Sequence, residues 1–325
     1  MFAISSKINS QLSTIDPAIV FCDEKNAIAG STQNNGLWYS SNGGLEWFQS
    51  NITSNSFYSV LMIGKNAIAA PYSEQGLLYS SDRGKTWNQS NITTGEFFTV
   101  FMSGTNAIAG SNDGVLYSND SGKTWVTTNL QGGDFYSVFM DGSNALTASQ
   151  FGIWYSSDSG NTWTLSNINS NASVVCIVGK HAIAYSNVSY ETTSTVWYSF
   201  NYGETWTQSN ISDALFNSIY MDCNNAVAAS NSGLYYSSDN GKTWEKSNIV
   251  DNAFNSVFIL GTNAIATSST GIWYSNNYGK TWTQSNGAEG SFKSLYMKGN
   301  NIVIGSSNSL SGTLYSNNRG IIFKN

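Results

Sequence analysis

The sequence predicts an all-β chain of four-stranded antiparallel sheets standing round a common axis, and three observations carry that prediction. The first is a stretch that recurs eight times. It is clearest as Ser80-Ser81-Asp82-Arg83-Gly84-Lys85-Thr86-Trp87. It returns with Asp at Ser118–Trp125, Ser156–Trp163 and Ser237–Trp244, with Asn at Ser199–Trp206 and Ser275–Trp282, and in worn form at Ser40–Trp47 and Ser316–Phe323. The second is the period. The closing aromatics stand at positions 47, 87, 125, 163, 206, 244, 282 and 323, and a fixed spacing near forty marks a repeat architecture. The third is the texture between the copies. Runs of four to six β-branched and aromatic residues alternate with Gly, Asn, Ser and Asp turns, and no window of helical period carries a cap. One such sheet cannot bury both faces alone, whereas radial stacking buries them and leaves only short edges. The expected architecture is a β-propeller of eight blades, with seven as the alternative because both terminal units are degenerate. It occupies residues 1–325 as one domain.

Each unit reads as four strands. In the third they are Phe97–Met102, Asn106–Gly110, Val115–Ser118 and Thr124–Thr127. The second strand recurs as Asn26-Ala-Ile-Ala, Asn66-Ala-Ile-Ala, His181-Ala-Ile-Ala, Asn225-Ala-Val-Ala and kin, small residues suited to close packing between neighbouring sheets. The octapeptide is the hairpin turn before the outer strand. Its Asp or Asn accepts hydrogen bonds from nearby amides, its Gly supplies a positive φ, and its Trp brings a large apolar surface to bury. The structural residues are therefore Asp82 and Trp87, Asp120 and Trp125, Asp158 and Trp163, Asn201 and Trp206, Asp239 and Trp244, and Asn277 and Trp282. The chain ends in a short outer strand, Ile321–Asn325, and residues 1–10 are expected to pair with the last blade (292–325) and clasp the ring, since an open edge invites wrong partners. Unit five departs from the rest: its inner strand Ala172–Ile177 lacks the opening Phe, and its Tyr185–Val196 connection is the longest within a blade. Drift in a surface loop and a binding loop are both open readings of that insertion.

The pattern S-x-D-x-G-x-T-W resembles the Asp-box, or BNR, repeat of β-propellers such as sialidases, sortilin-type receptors and the photosystem II stability/assembly factor family. The resemblance covers nearly the whole chain. It implies that the box is a structural turn on the face away from the usual ligand site. The assembly-factor likeness implies a propeller that binds partner proteins without catalysis, generally through a basic patch. The sialidase likeness implies three arginines gripping a substrate carboxylate, for which guanidinium is suited. This chain has two, Arg83 and Arg319, both inside boxes, which excludes sialidase activity.

Composition narrows the field further. Charged residues make up 10 % of the chain and the net charge is −6, against the basic face that a nucleic-acid binder needs. Cys22, Cys176 and Cys223 form no framework, which fits a reducing, intracellular setting. The N-terminus lacks the pattern of a signal peptide, and no apolar run reaches membrane-spanning length, so no membrane insertion is expected. Sequons such as Asn51-Ile-Thr53, Asn91-Ile-Thr93 and Asn210-Ile-Ser212 read as products of an Asn- and Ser-rich composition.

The catalytic options are thin. A glycosidase needs two carboxyls across one cleft; the acids outside boxes and exposed turns, Glu74, Asp113, Glu191, Asp213, Asp251 and Glu289, do not recur as a pair. A Cys176/His181 relay fails because residues five apart on alternating backbone point to opposite faces. No metal site, phosphate loop or cofactor is expected. What remains is a binding surface. The second inner-strand position varies round the ring as Ala18, Tyr58, Phe98, Tyr136, Ser173, Asn217, Asn255 and Lys293, beside an opening Phe that holds in six units. It divides into an aromatic arc, Tyr58/Phe98/Tyr136, and a polar arc, Asn217/Asn255/Lys293, joined by Tyr72, Phe151 and Tyr190 from loops of the same face. The arc either fills the pore or presents a platform. The expected function is a non-catalytic scaffold binding a protein or another macromolecule. The alternatives are a carbohydrate-binding or glycoside-hydrolase-like propeller and a structural component of a viral or other particle.

Overall fold

The computed structural model describes residues 17–23, 25–187, 194–211, 215–250, 252–286, 292–306 and 313–323. Every helix or strand among them is a strand, and the strands form eight separate sheets. Seven have four strands and one has three, each in sequential antiparallel order. Blade 2 shows the plan: Phe57–Ile63, Asn66–Pro71, Leu78–Ser80 and Asn88–Gln89, from the inside outward. The inner strands of blades 1 to 8 open at Pro17, Phe57, Phe97, Phe135, Val174, Phe216, Phe254 and Phe292. Each packs on its neighbour, and that of blade 8 packs on that of blade 1. The ring is therefore a closed eight-bladed propeller.

The up-and-down order gives the ring two unlike faces. Inner-strand starts, second-to-third loops and the links between blades lie on one, the loop face. First-to-second turns and the boxes lie on the other, the box face. Between them the second strands are sealed; Ala67, Ile68, Ala69 and Ala70 are fully buried. All seven repeat tryptophans are buried too, none more than 7 % exposed. Each hides on the order of 200 Å², a gross gain of roughly 5 kcal/mol at ~25 cal/mol/Å².

The box is a small cage of hydrogen bonds. In blade 2, Ser80 Oγ donates to Asp82 Oδ1 (2.8 Å) and accepts from the Gly84 amide (3.0 Å). Asp82 accepts from the Thr86 amide (2.9 Å) and hydroxyl (2.6 Å), and Trp87 Nε1 donates to the Gly84 carbonyl (2.9 Å). Asn201 serves the same turn, accepting from the Thr205 amide at 3.1 Å. The box glycine has the positive φ expected of it, and so does the residue before it, as at Arg83 (66°) and Tyr202 (61°). A left-handed non-glycine residue costs about 1–2 kcal/mol, which the cage must offset. The glycine is also fixed from outside: a Cβ on Gly122 would lie 2.4 Å from Ile68 Cγ2 of the preceding blade.

Neighbouring blades are tied by a second repeating device. Asn51 Nδ2 donates to the carbonyl of Trp87, and the Trp87 amide donates back to Asn51 Oδ1, at 2.9 and 2.8 Å. Asn91, Asn129, Asn167, Asn210 and Asn248 hold the tryptophan of the next blade in the same way. The sequon asparagines 51, 91 and 210 are thus three of the six interblade latches among the described residues, a periodic role that composition alone does not supply.

The expected clasp falls on residues 1–10, which lie outside the described residues; among the described residues blades 1 and 8 meet directly. Phe21 of blade 1 meets Tyr296 of blade 8 at 4.0 Å between ring centres, and Gly44 sits against Val303 and Tyr315. One expectation needs correcting. Ile321–Phe323 add no fourth strand to blade 8: Ile322 forms a parallel bridge with Asn286 of blade 7, and Phe323 N donates to the Asn286 carbonyl at 3.3 Å. The segment takes the place that the latched tryptophans occupy elsewhere, with backbone in place of an asparagine side chain. Residues 324–325 lie outside the described residues.

Candidate functional site

The loop-face mouth is shaped by a bulge that the repeat carries almost everywhere. In seven of the eight blades the pairing of first and second strands slips beside the opening residue. The unpaired residues are Ala18, Tyr58, Phe98, Tyr136, Asn217, Asn255 and Lys293. Blade 5 pairs without a slip. A bulge frees one residue from the ladder and re-aims its side chain. That is why the variable position stands next to a fixed, fully buried phenylalanine such as Phe57, Phe216 or Phe254.

In blades 2 to 4 the bulge side chains form a row of rings. Tyr72, from the blade 2 loop, packs on Tyr58 at 4.3 Å between centres; Tyr58 meets Phe98 edge-on at 5.5 Å; Phe98 stacks with Tyr136 at 6.4 Å. The outer members stay open to water, Tyr72 by 57 % and Tyr136 by 41 %. Each tyrosine hydroxyl at the bulge is anchored by an acid from the residue before an inner strand. Tyr58 Oη donates to Glu96 Oε1 (3.0 Å) and Tyr136 Oη to Asp134 Oδ2 (3.3 Å). Burial raises the Tyr58 hydroxyl's pKa, with hydrogen bonds to Tyr72 and Glu96 adding to it; burial and then Asp134 raise that of Tyr136. Both stay protonated donors at neutral pH. Phe151, 51 % exposed, lies over Gly133 of the link into blade 4.

The polar arc behaves differently. Asn217 donates to the carbonyl of Phe254 (2.9 Å) and to Asn231 Oδ1 (2.9 Å), and Asn255 donates to the carbonyl of Phe292 (2.8 Å). These asparagines hold one blade's inner strand to the next. Lys293 stands at the bulge of blade 8. Tyr190 lies outside the described residues, as do Glu191, Asp213, Asp251 and Glu289. Glu74 and Asp113 are exposed on loops of the same face. Glu96 and Asp134 are site residues that sequence reasoning missed; their only signal was an acid directly before an inner strand in two consecutive blades.

A second ring lies deeper, and it too escaped the sequence reading. The fifth inner-strand position carries an aromatic in six blades. The contacts run from Phe21 to Tyr296 (4.0 Å), Phe258 (5.0 Å), Tyr220 (4.0 Å), Phe139 (6.0 Å) and Phe101 (4.3 Å), with Leu61 in blade 2. Cys176 holds this place in blade 5, which lets Phe139 and Tyr220 meet across it. These rings line a cavity of about 380 Å³ in the channel. Burial pushes the Cys176 thiol up to about 12, leaving it inert as a nucleophile. His181 packs edge-on against Phe200 on the box face, its pKa lowered by burial and then by Lys180. No relay forms between the two. Among the described residues no group of three or more His, Cys, Asp and Glu is placed to hold a metal ion.

Residues 235–246 match the BNR/Asp-box repeat. No curated protein sequence matches the chain. Among solved structures it is similar to the computationally designed Ika8 protein (TM-score 0.76, 8 % identity, 93 % of this chain and 96 % of that one). It is also similar to YCF48 from Cyanidioschyzon merolae (TM-score 0.59, 16 % identity, 81 % and 96 %). A third is an ancestral GH74 enzyme (TM-score 0.65, 15 % identity, 95 % and 54 %), of which the chain spans about half the length. At these identities the likeness is one of fold.

Proposed function

We propose that this propeller is a non-catalytic scaffold that binds a protein segment on its loop face, along the row Tyr72–Tyr58–Phe98–Tyr136. The observation that carries the reading is the row itself. Four rings from three blades lie side by side, two of them exposed, and three of the four stand at a position where other blades spend the same bulge on holding the ring together. Aromatic side chains give large contact area for little loss of conformational freedom, and they anchor interfaces accordingly. The carboxylates beside them each accept a tyrosine hydroxyl, a positioning role that needs no proton transfer. Thiols buried at Cys22 and Cys176 and exposed at Cys223, none of them in a disulfide, support a reducing compartment as the setting.

The test is selection of peptides from a random displayed library on the wild-type protein, with the selected peptides re-measured on Tyr58→Ala/Tyr136→Ala. The reading expects a set of peptides that lose binding to the variant. It is overturned if every selected peptide binds both proteins alike, or if a cello-oligosaccharide binds the row and no peptide does. The second result would favour the carbohydrate alternative, since sugar rings also stack on exposed aromatics.

A further inference from the structure

We propose that the partner segment is basic: its Arg or Lys side chains lie on the rings of Tyr72, Tyr58, Phe98 and Tyr136, with Glu96 and Asp134 facing their charge. The proposal rests on the reading of the row as a protein-binding surface and names the chemistry of what binds there.

The first argument is how charge is divided between the two faces. Lys25, Lys65 and Lys180 occupy first-to-second turns, Lys298 ends the inner strand of blade 8 on that same side, and Lys85, Lys123, Lys242, Lys280, Arg83 and Arg319 lie in boxes. All of these are on the box face, where they stand among the box acids. The loop face at blades 2 to 4 carries Glu74, Glu96, Asp113 and Asp134 and no Lys or Arg. Lys293 holds a loop-side backbone position at the bulge of blade 8, outside this sector. A net charge of −6 therefore understates how negative one sector of the loop face is. Such a sector draws cationic segments toward it and repels acidic ones.

The second argument is the rings. A guanidinium or ammonium is attracted to an aromatic face within about 6 Å of the ring centre. This chain makes that contact internally, with Lys246 Nζ 5.6 Å from the ring centre of Tyr235 and Lys280 Nζ 5.8 Å from that of Tyr236. Among the described residues no lysine or arginine lies over the rings of the row, and none pairs with Glu96 or Asp134. An aromatic surface with carboxylates at its edge and no internal cation is matched by a ligand that brings the cation. A neutral apolar segment would bury the rings and desolvate the charge of the two acids with no opposite charge to offset it, which costs affinity.

The experiment uses fluorescein-labelled Arg-Ser, Gln-Ser and Glu-Ser repeat octapeptides and follows anisotropy on the full chain. Three variants are compared with wild type: Glu96→Gln/Asp134→Asn, which keeps both acceptors for the tyrosine hydroxyls; Tyr58→Ala/Tyr136→Ala; and Glu204→Gln on the box face as a control. At about 50 mM salt, where screening is weak, the Arg-Ser peptide is expected to bind roughly tenfold or more tightly than the Gln-Ser peptide. The charge-neutral variant should lose about fivefold or more and the ring variant at least as much, while Glu204→Gln binds as wild type. The proposal is overturned if the Arg-Ser and Gln-Ser peptides bind alike, or if Glu96→Gln/Asp134→Asn binds the Arg-Ser peptide unchanged. Its failure is separable from that of the underlying reading. Library peptides that depend on the rings but are neutral or acidic would sink the basic partner and leave the protein-binding surface standing; the absence of any ring-dependent peptide would sink both.

Discussion

In blades 6 and 7 the bulge residue is an asparagine whose amide reaches the carbonyl of the next blade's opening phenylalanine. In blades 2, 3 and 4 the same backbone step carries Tyr58, Phe98 and Tyr136, whose rings meet one another and, with Tyr72 beside them, leave Tyr72 and Tyr136 open to water. The slip in pairing is the same in both sectors, so the backbone does not distinguish them. The side chain does. An asparagine there contributes about 1 kcal/mol of net hydrogen bonding to the joint between blades. Three consecutive blades forgo that bond, and their joints must be held by what lies beneath: the buried phenylalanines, the second-strand alanines and the outer asparagine latches. A repeat scaffold thus frees a site by giving up one of several redundant ties.

That contrast ranks the variants. The greatest loss is expected where the repeat has no redundancy. Trp163→Ala empties a fully packed site and should cost about 3–5 kcal/mol in urea unfolding; a loss under about 1 kcal/mol would mean that the box tryptophan is not core. Next comes the latch. Asn129→Ala removes both bonds to Trp163 and leaves its amide and carbonyl without their partner, for about 2–3 kcal/mol. A neutral result there would show that the redundancy extends to the outer ties as well.

Acid should act on the Asp boxes and spare the Asn boxes. Partial burial pushes the carboxyls of Asp82, Asp120, Asp158 and Asp239 up, but hydrogen bonds from their Thr and Ser neighbours and backbone amides outweigh it and hold all four below the usual range. A carboxyl with a lowered folded-state pKa contributes stability that is present above its unfolded value near 4 and lost as pH falls through the folded one. Thermal unfolding should therefore hold steady from neutrality to about pH 5 and drop below about pH 4. Changing the four aspartates to asparagine should flatten that drop, leaving every box like those at Asn201 and Asn277. The smallest effect on stability falls on the row: Tyr136→Ala should shift unfolding by about 0.5 kcal/mol or less while weakening any peptide bound there.

The fold was legible because the box needs its residue types for reasons that do not vary from blade to blade. Ser and Asp cage the turn, Gly lies against the preceding blade, and Trp seals the joint, so eight copies print themselves in the chain. The bulge was legible in part. A variable residue beside a fixed phenylalanine marked the position, but Asn217 and Asn255 bond to backbone carbonyls one blade away, and a carbonyl has no side-chain signature. Three of the latch asparagines, Asn51, Asn91 and Asn210, stand in sequons, and all six bond to backbone, which hid them for the same reason. The channel ring is aromatic at one register in six blades, but inside an apolar inner strand an aromatic that faces the channel has the same residue type as one that faces a neighbouring sheet. The pairing of Ile322 with Asn286 is main chain to main chain and leaves no trace in residue type.

The comparison between the two sectors is tested most directly by urea unfolding of two double variants, Tyr72→Ala/Tyr136→Ala and Asn217→Ala/Asn255→Ala. The aromatic pair is expected to lower stability by about 1 kcal/mol or less, and the asparagine pair by about 2 kcal/mol. An aromatic pair that costs as much as the asparagine pair, or more, would make the row part of what holds the ring together and contradict its assignment as a surface left free for a partner.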